Sequence, residues 1–206
     1  MYAYIPGIAD IRMANVESPA ARVAQILRVY EAHGDSDYIG EAVSSVEHAL
    51  QAAALAAAAK QPDAVVAGAL LHDVGHLLGL QEPAKYERMG SCGVMAHEGI
   101  GAAFLERHGM PRLTCAIVRG HVSAKRYLTF KDPLYYGRLS EASKTTLGFQ
   151  GGPMSDEEAA AFEADPLKET ILAMRRWDEA AKVPGLDAGT LDSYRGMLEG
   201  LVGAAE

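Results

Sequence analysis

From Val65 to Leu71 the chain offers only apolar side chains and one glycine, and the next two residues are His72 and Asp73. A helix of that composition belongs in a protein interior, yet it ends on an imidazole and a carboxylate. A buried carboxylate without a partner is strongly unfavourable, so the fold has to set something cationic against Asp73. Suitable companions occur elsewhere: His48 upstream, then His97, His121 and Asp178 downstream, all in segments with helical patterning. These nitrogen and oxygen donors suffice for two metal ions. One metal would point to hydrolysis, whereas two could also support oxygen chemistry.

The frame around this group is helical. Alanine dominates the apolar residues and β-branched runs are few, so an all-α domain is expected, with 206 residues forming one core. Residues 1–16 read as an N-terminal extension and 188–206 as a C-terminal helix of the same domain. Ser18-Pro19 opens a first helix that ends at Gly34, and a second is expected from Asp37 to Lys60. A third starts at Pro62-Asp63 and carries His72-Asp73, followed by a loop over 79–93. Helices are expected at 94–108, 112–126 and 139–147, then after the Ser155-Asp156-Glu157-Glu158 cap, and again from Asp165-Pro166 through Asp178. Gly148 to Met154 reads as a loop.

Composition excludes several classes of partner. No apolar run reaches the roughly 18 residues of a membrane span. The start Met1-Tyr2-Ala3-Tyr4-Ile5-Pro6-Gly7 lacks a signal-peptide layout, so no membrane partner and a cytoplasmic location are expected. Cys92 and Cys115 have no CxxC spacing, which argues against structural zinc and a disulfide framework. A net charge of −8 without a basic block argues against nucleic acid. A small anion is compatible with it, because metal ions invert the local field.

Helical spacing would place Tyr38, Glu41, Ser45 and His48 on one stripe, with a phenol, a carboxylate and an imidazole where a packing face would be apolar. The stripe reads as the wall of a site, with a solvated face as the plainer alternative for Tyr38 and Glu41. His72 and His76 are one turn apart, and Asp73 is expected about 100° away, so the adjacent pair could serve two metals, or one metal and a supporting contact beside it. Lys125 follows His121 by one turn and would repel a bound cation unless an anion lay between them. Arg175, one turn before Asp178, could act likewise or form an ordinary i,i+3 ion pair. Two metals bring about +4 to +5 against two aspartates, leaving a pocket suited to a dianion.

The pattern His48, His72-Asp73 and Asp178 resembles the HD-domain superfamily of metal-dependent phosphohydrolases, and His97 and His121 match its dinuclear branch. Four segments narrow the resemblance: Asp37-Tyr38-Ile39-Gly40-Glu41-Ala42-Val43, Gly120-His121-Val122-Ser123-Ala124-Lys125-Arg126-Tyr127-Leu128, Gln150-Gly151-Gly152-Pro153-Met154 and Arg175-Arg176-Trp177-Asp178-Glu179-Ala180-Ala181-Lys182. They are similar to the mixed-valence diiron oxygenases that cleave carbon–phosphorus bonds of 1-hydroxy-2-aminoethylphosphonates, over about residues 20–186.

The resemblance implies an HD-domain helical bundle with two iron ions, Fe(II)/Fe(III), in its core and O2 as co-substrate. It assigns His48, His72, Asp73 and Asp178 to one iron, with Asp73 bridging to a second held by His97 and His121. It implies that Tyr38 closes the second iron's open position until substrate displaces it, and that Glu41 moves with it. Substrate contacts fall on His76, Lys125, Ser143 and Arg175, with Thr146 and Gln150 nearby. The implied product pair is phosphate with glycine or, for a trimethylammonium substrate, glycine betaine. Tyr38, Glu41, Tyr2 and Tyr4 incline the expectation slightly to the latter, since quaternary ammonium groups prefer aromatic faces and carboxylates. A hydrolytic HD phosphatase or phosphodiesterase, a polyol-cleaving diiron oxygenase and a non-catalytic metal or ligand binder are the competing readings.

Overall fold

The computed structural model describes residues 17–204 and is all-α, with no strand among the described residues. Tyr2 and Tyr4 lie outside that range. The elements are α1 (Pro19–His33), α2 (Ser45–Ala58), α3 (Asp63–Leu71), α4 (Val74–Gln81), α5 (His97–Arg107), α6 (Arg112–Lys131), α7 (Tyr135–Arg138), α8 (Glu141–Phe149), α9 (Asp156–Glu163), α10 (Lys168–Ala180) and α11 (Leu191–Ala204). Helix α3 is the axis: every residue from Val65 to Leu71 is buried, and α2, α6, α10 and α11 pack around it. Helices α1, α4 and α5 complete the main core with Ile26, Leu27, Leu77 and Leu105. A smaller cluster joins α6, α9 and α10 through Tyr127, Phe162 and Ile171. No single helix among the described residues is long and apolar enough to cross a membrane.

Two expected helices are wrong in ways that shape the site. The helix expected from Asp37 begins only at Ser45. Residues 37–44 form a tight turn closed by a bridge between Asp37 and Ser44, with Ile39 (φ 36°) and Gly40 (φ 75°) in the left-handed region. The Ser44 hydroxyl accepts from the Glu47 N–H while the Glu47 carboxylate accepts from the Ser44 N–H, a reciprocal cap that fixes where α2 starts. Tyr38 and Glu41 therefore reach the site from a turn, not from a helical stripe, and Ser45 turns its hydroxyl to Ser36 instead.

The second correction concerns His72 and Asp73, which end one helix and precede another. The α3 and α4 axes differ by 42°, with Asp73 at φ −103°, ψ 11° between them. That break carries Asp73 off the helical surface. The expected loop also starts late, since α4 continues to Gln81.

Gly75 lets α4 close onto the start of α5: a Cβ there would lie 2.0 Å from the His97 carbonyl oxygen. Gly75→Ala is therefore expected to destabilise by about 3 kcal/mol through overpacking against backbone. Gly99→Ala, where a Cβ meets nothing within 4 Å, should leave the melting temperature unchanged or higher. Thermal denaturation of the two variants checks the contrast.

Candidate metal centre

The six donors expected from the sequence converge. His48 and His72 bring their Nε2 atoms to 3.1 Å, and His97 and His121 bring theirs to 3.0 Å. Asp73 lies between the pairs. Its Oδ2 is 3.2 Å from His72 Nε2 and 3.8 Å from His48 Nε2, and its Oδ1 is 3.3 Å and 3.5 Å from His97 and His121 Nε2. Asp178 Oδ1 completes the first pair at 3.4 Å from His48 Nε2. The helix break between α3 and α4 makes this possible, since His72 and Asp73 face one centre rather than diverging by 100°.

Backbone carbonyls fix the imidazole tautomers. Nδ1 of His48 donates to the Ala181 carbonyl (2.8 Å), that of His72 to Ala69 (2.8 Å) and that of His121 to Val118 (2.7 Å). With the proton on Nδ1, each Nε2 presents a lone pair to the interior. At the His48–His72 contact the two Nε2 atoms face each other at 3.1 Å beside a carboxylate, an arrangement that either a shared proton or a metal cation satisfies. Burial alone would lower His72, but Asp73 and Asp178 outweigh it and push it up to about 9. His121 falls to about 3 through burial, despite Asp73. The donor set thus fits metal ions, with three nitrogen- or oxygen-bearing groups able to meet at His48, His72 and Asp73.

His76 also lies within ligating reach of Asp73 and His97, but its chemistry differs. Its Nδ1 accepts the Val94 N–H at 3.0 Å, so the ring proton sits on Nε2, which is then a donor and not a ligand. The ring stacks on His97 at 3.7 Å and is held neutral by burial and by its neighbour His97. Tyr38 stacks on His48 at 3.9 Å, and burial with the Asp73 and Asp178 charges keeps its phenol protonated.

Tyr38, Asp73, His76, His97, His121 and Asp178 line a cavity of about 40 Å³ together with Lys125 and Arg175. Lys125 is buried and donates to Thr146 Oγ1 at 2.9 Å, and Thr146 in turn donates to the Ser143 carbonyl. Arg175 is also buried: Nη1 pairs with Asp178, Nε donates to Glu179 at 2.8 Å, and Nη2 has no hydrogen-bond partner. The i,i+3 ion pair is thus real, but it leaves one buried donor aimed at nothing. Gln150 Oε1 is similarly unpartnered, and Ser143 lines the same cavity. The orphaned Arg175 Nη2 donor beside Lys125 describes a seat for an anion, and the Gln150 Oε1 acceptor is free to accept a hydrogen bond from it.

The HD-domain sequence profile matches residues 45–169, more than half of the chain. The chain belongs to the HD-domain family. It is 40% identical over 197 residues, 96% of this chain and 95% of the relative, to a 1-hydroxy-2-(trimethylamino)ethyl phosphonate dioxygenase (glycine-betaine-forming) of Leisingera caerulea. It is 37% identical over 183 residues, 89% of each chain, to a hydroxymethylphosphonate dioxygenase of Gimesia maris. An uncharacterized protein of Acanthamoeba polyphaga mimivirus is 39% identical over 184 residues, 89% of this chain and 83% of its own. This HD-domain protein is thus a metal-dependent enzyme of the phosphonate dioxygenase branch, and the 197-residue match is longer than the resemblance seen over 20–186.

Some residues at the centre of this HD-domain enzyme escaped sequence reasoning. Lys182 lines the cavity and pairs with Glu41 at 2.6 Å, across 141 positions of sequence. Tyr135 and Glu179 steady Arg175, and the Ala181 carbonyl orients His48. Glu179 and Lys182 had a legible hint, standing one turn from Arg175 and Asp178, but a backbone carbonyl leaves no signal in sequence.

Proposed function

We propose that the protein cleaves the carbon–phosphorus bond of an (R)-1-hydroxy-2-(trimethylammonio)- or 2-aminoethylphosphonate with O2, releasing phosphate and glycine betaine or glycine. The observation that carries this reading is a carboxylate shared by two histidine pairs, Asp73, beside a buried Arg175 Nη2 that lacks a partner. A purely structural metal site gives no role to that donor. In the reaction C1 passes from alcohol to carboxylate and the C–P bond breaks. The substrate supplies the four electrons that reduce O2, whose two atoms enter the products, and one proton is released.

Two iron ions, Fe(II)/Fe(III) at rest, would supply O2 activation when bound; His48, His72, Asp73 and Asp178 would hold one, and Asp73, His97 and His121 the other. A set rich in imidazole and poor in carboxylate favours the partly reduced state, and activity confined to the fully ferric protein would contradict that. Lys125, Arg175, Ser143, Thr146 and Gln150 would seat the phosphonate, and the His76 Nε2–H would donate to the C1 hydroxyl. Tyr38 and Glu41 close the entrance and are displaced by substrate. The aromatic face and carboxylate of that pair, with the relative of 40% identity, support a slight preference for the trimethylammonium substrate.

Iron-loaded protein given either (R)-phosphonate is expected to consume O2 and release phosphate in equal amounts, and the faster substrate names the nitrogen substituent. Phosphate release from phosphate esters without O2 uptake would overturn the reading in favour of hydrolysis.

A further inference from the structure

Two parts of the cavity lining differ in character: the anion seat holds an unpartnered donor, Arg175 Nη2, whereas Glu41 and Lys182 form a complete ion pair. Lys182 Nζ is 2.6 Å from Glu41 Oε1, 3.5 Å from Ser140 Oγ and 5.7 Å from the centre of the Tyr38 ring. A carboxylate beside an aromatic face is the environment that receives an ammonium ion. In this structure a side chain of the protein's own supplies it. We infer that Lys182 is a tethered occupant of the subsite for the substrate's nitrogen substituent, and that it sets specificity by competing with a cationic ligand for Glu41 and Tyr38. This rests on the phosphonate reading of the site.

Placement and anchoring point the same way. Glu41 and Lys182 both line the cavity of about 40 Å³, so a cationic end that reaches Glu41 meets the ammonium already paired with it. Lys125 and Arg175 are buried on α6 and α10, but Lys182 follows the end of α10 and is held at its tip by Glu41 and Ser140. With 17% of its side chain exposed, it has a route to solvent, where its strongly hydrated ammonium is well accommodated. A ligand with a neutral substituent gains nothing by breaking the pair. A cation of the same size takes over Glu41 but must first displace Lys182.

The test is equilibrium binding to iron-loaded protein under nitrogen, using two phosphonates without the reactive hydroxyl. One is 2-(trimethylammonio)ethylphosphonate; the other, 3,3-dimethylbutylphosphonate, has the same shape without the charge. The ratio of their dissociation constants cancels whatever Lys182 contributes to the shared phosphonate. In Lys182→Met the ratio should shift about tenfold toward the cation, in Lys182→Arg it should stay at the wild-type value, and in Glu41→Gln it should shift toward the neutral ligand. Should the methionine variant fail to fold by circular dichroism, Lys182→Gln is read in the same way. A ratio unchanged or moved toward the neutral ligand on loss of Lys182 overturns the inference. Absence of binding by either phosphonate in any variant overturns the phosphonate reading itself, and this inference with it.

Discussion

Asp73→Asn is expected to lose iron from both positions at once and to reduce turnover by about 1000-fold. Each Asp73 oxygen faces a different histidine pair, Oδ2 toward His72 at 3.2 Å and Oδ1 toward His97 at 3.3 Å. Asparagine keeps the shape but removes the charge, and it turns an N–H toward a Nε2 lone pair or leaves that lone pair unmatched. Removing one member of a buried charge cluster costs about 3–5 kcal/mol. Every 1.4 kcal/mol is about tenfold in affinity, so both metals should fall out of the range retained through purification. His48→Gln and His121→Gln each disturb one pair and are expected to reduce iron content by about half. Metal analysis after gel filtration separates the cases. Asp73→Asn protein that keeps half its iron would show that the carboxylate serves one position only.

Two donors of this centre were readable because each is a polar residue set among core positions. His72 follows seven buried positions, and His121 lies between Val118 and Val122 on a helix whose apolar side is inside. What the sequence concealed was the direction in which they point. Nothing between Leu71 and Val74 resembles a helix terminator, so the bend that turns Asp73 toward both pairs had no local marker; the nearest glycine, Gly75, serves the close approach to His97. Tyr38 and Glu41 misled by their own regularity. Their spacing with Ser45 and His48 fits a helix, yet the reciprocal cap of Ser44 and Glu47 wins because it satisfies backbone groups at the helix start that a longer helix would have to find partners for farther upstream. The spacing of Lys182 from Asp178 hinted at the site, but its pairing with Glu41 had no local signal. Glu41 lies 141 positions away in sequence, and the packing of α10 against α2 brings the two together.

Lys125→Met is expected to lower kcat/KM for the phosphonate by about 100-fold, because loss of one partner from a buried charged contact costs about 2–5 kcal/mol. In the free site Lys125 is 4% exposed and bonded to Thr146, and burial together with the Arg175 charge lowers it to about 7. Bound metal ions push it lower still, and a bound dianion raises it by stabilising the ammonium form. The sign of the pH effect follows. Below the free-site value Lys125 is charged and anion affinity is full. Above it, binding must also take up a proton, so affinity falls by up to about tenfold per pH unit until the value in the complex is reached. A sulfonate ligand, whose own charge is constant in this range, isolates the protein's part of that slope. Lys125→Arg keeps its charge throughout and Lys125→Met never has one, so both should abolish the slope, but only the arginine variant should retain appreciable affinity at low pH. A slope that survives in both variants would assign the titration to another group and leave Lys125 a packing residue.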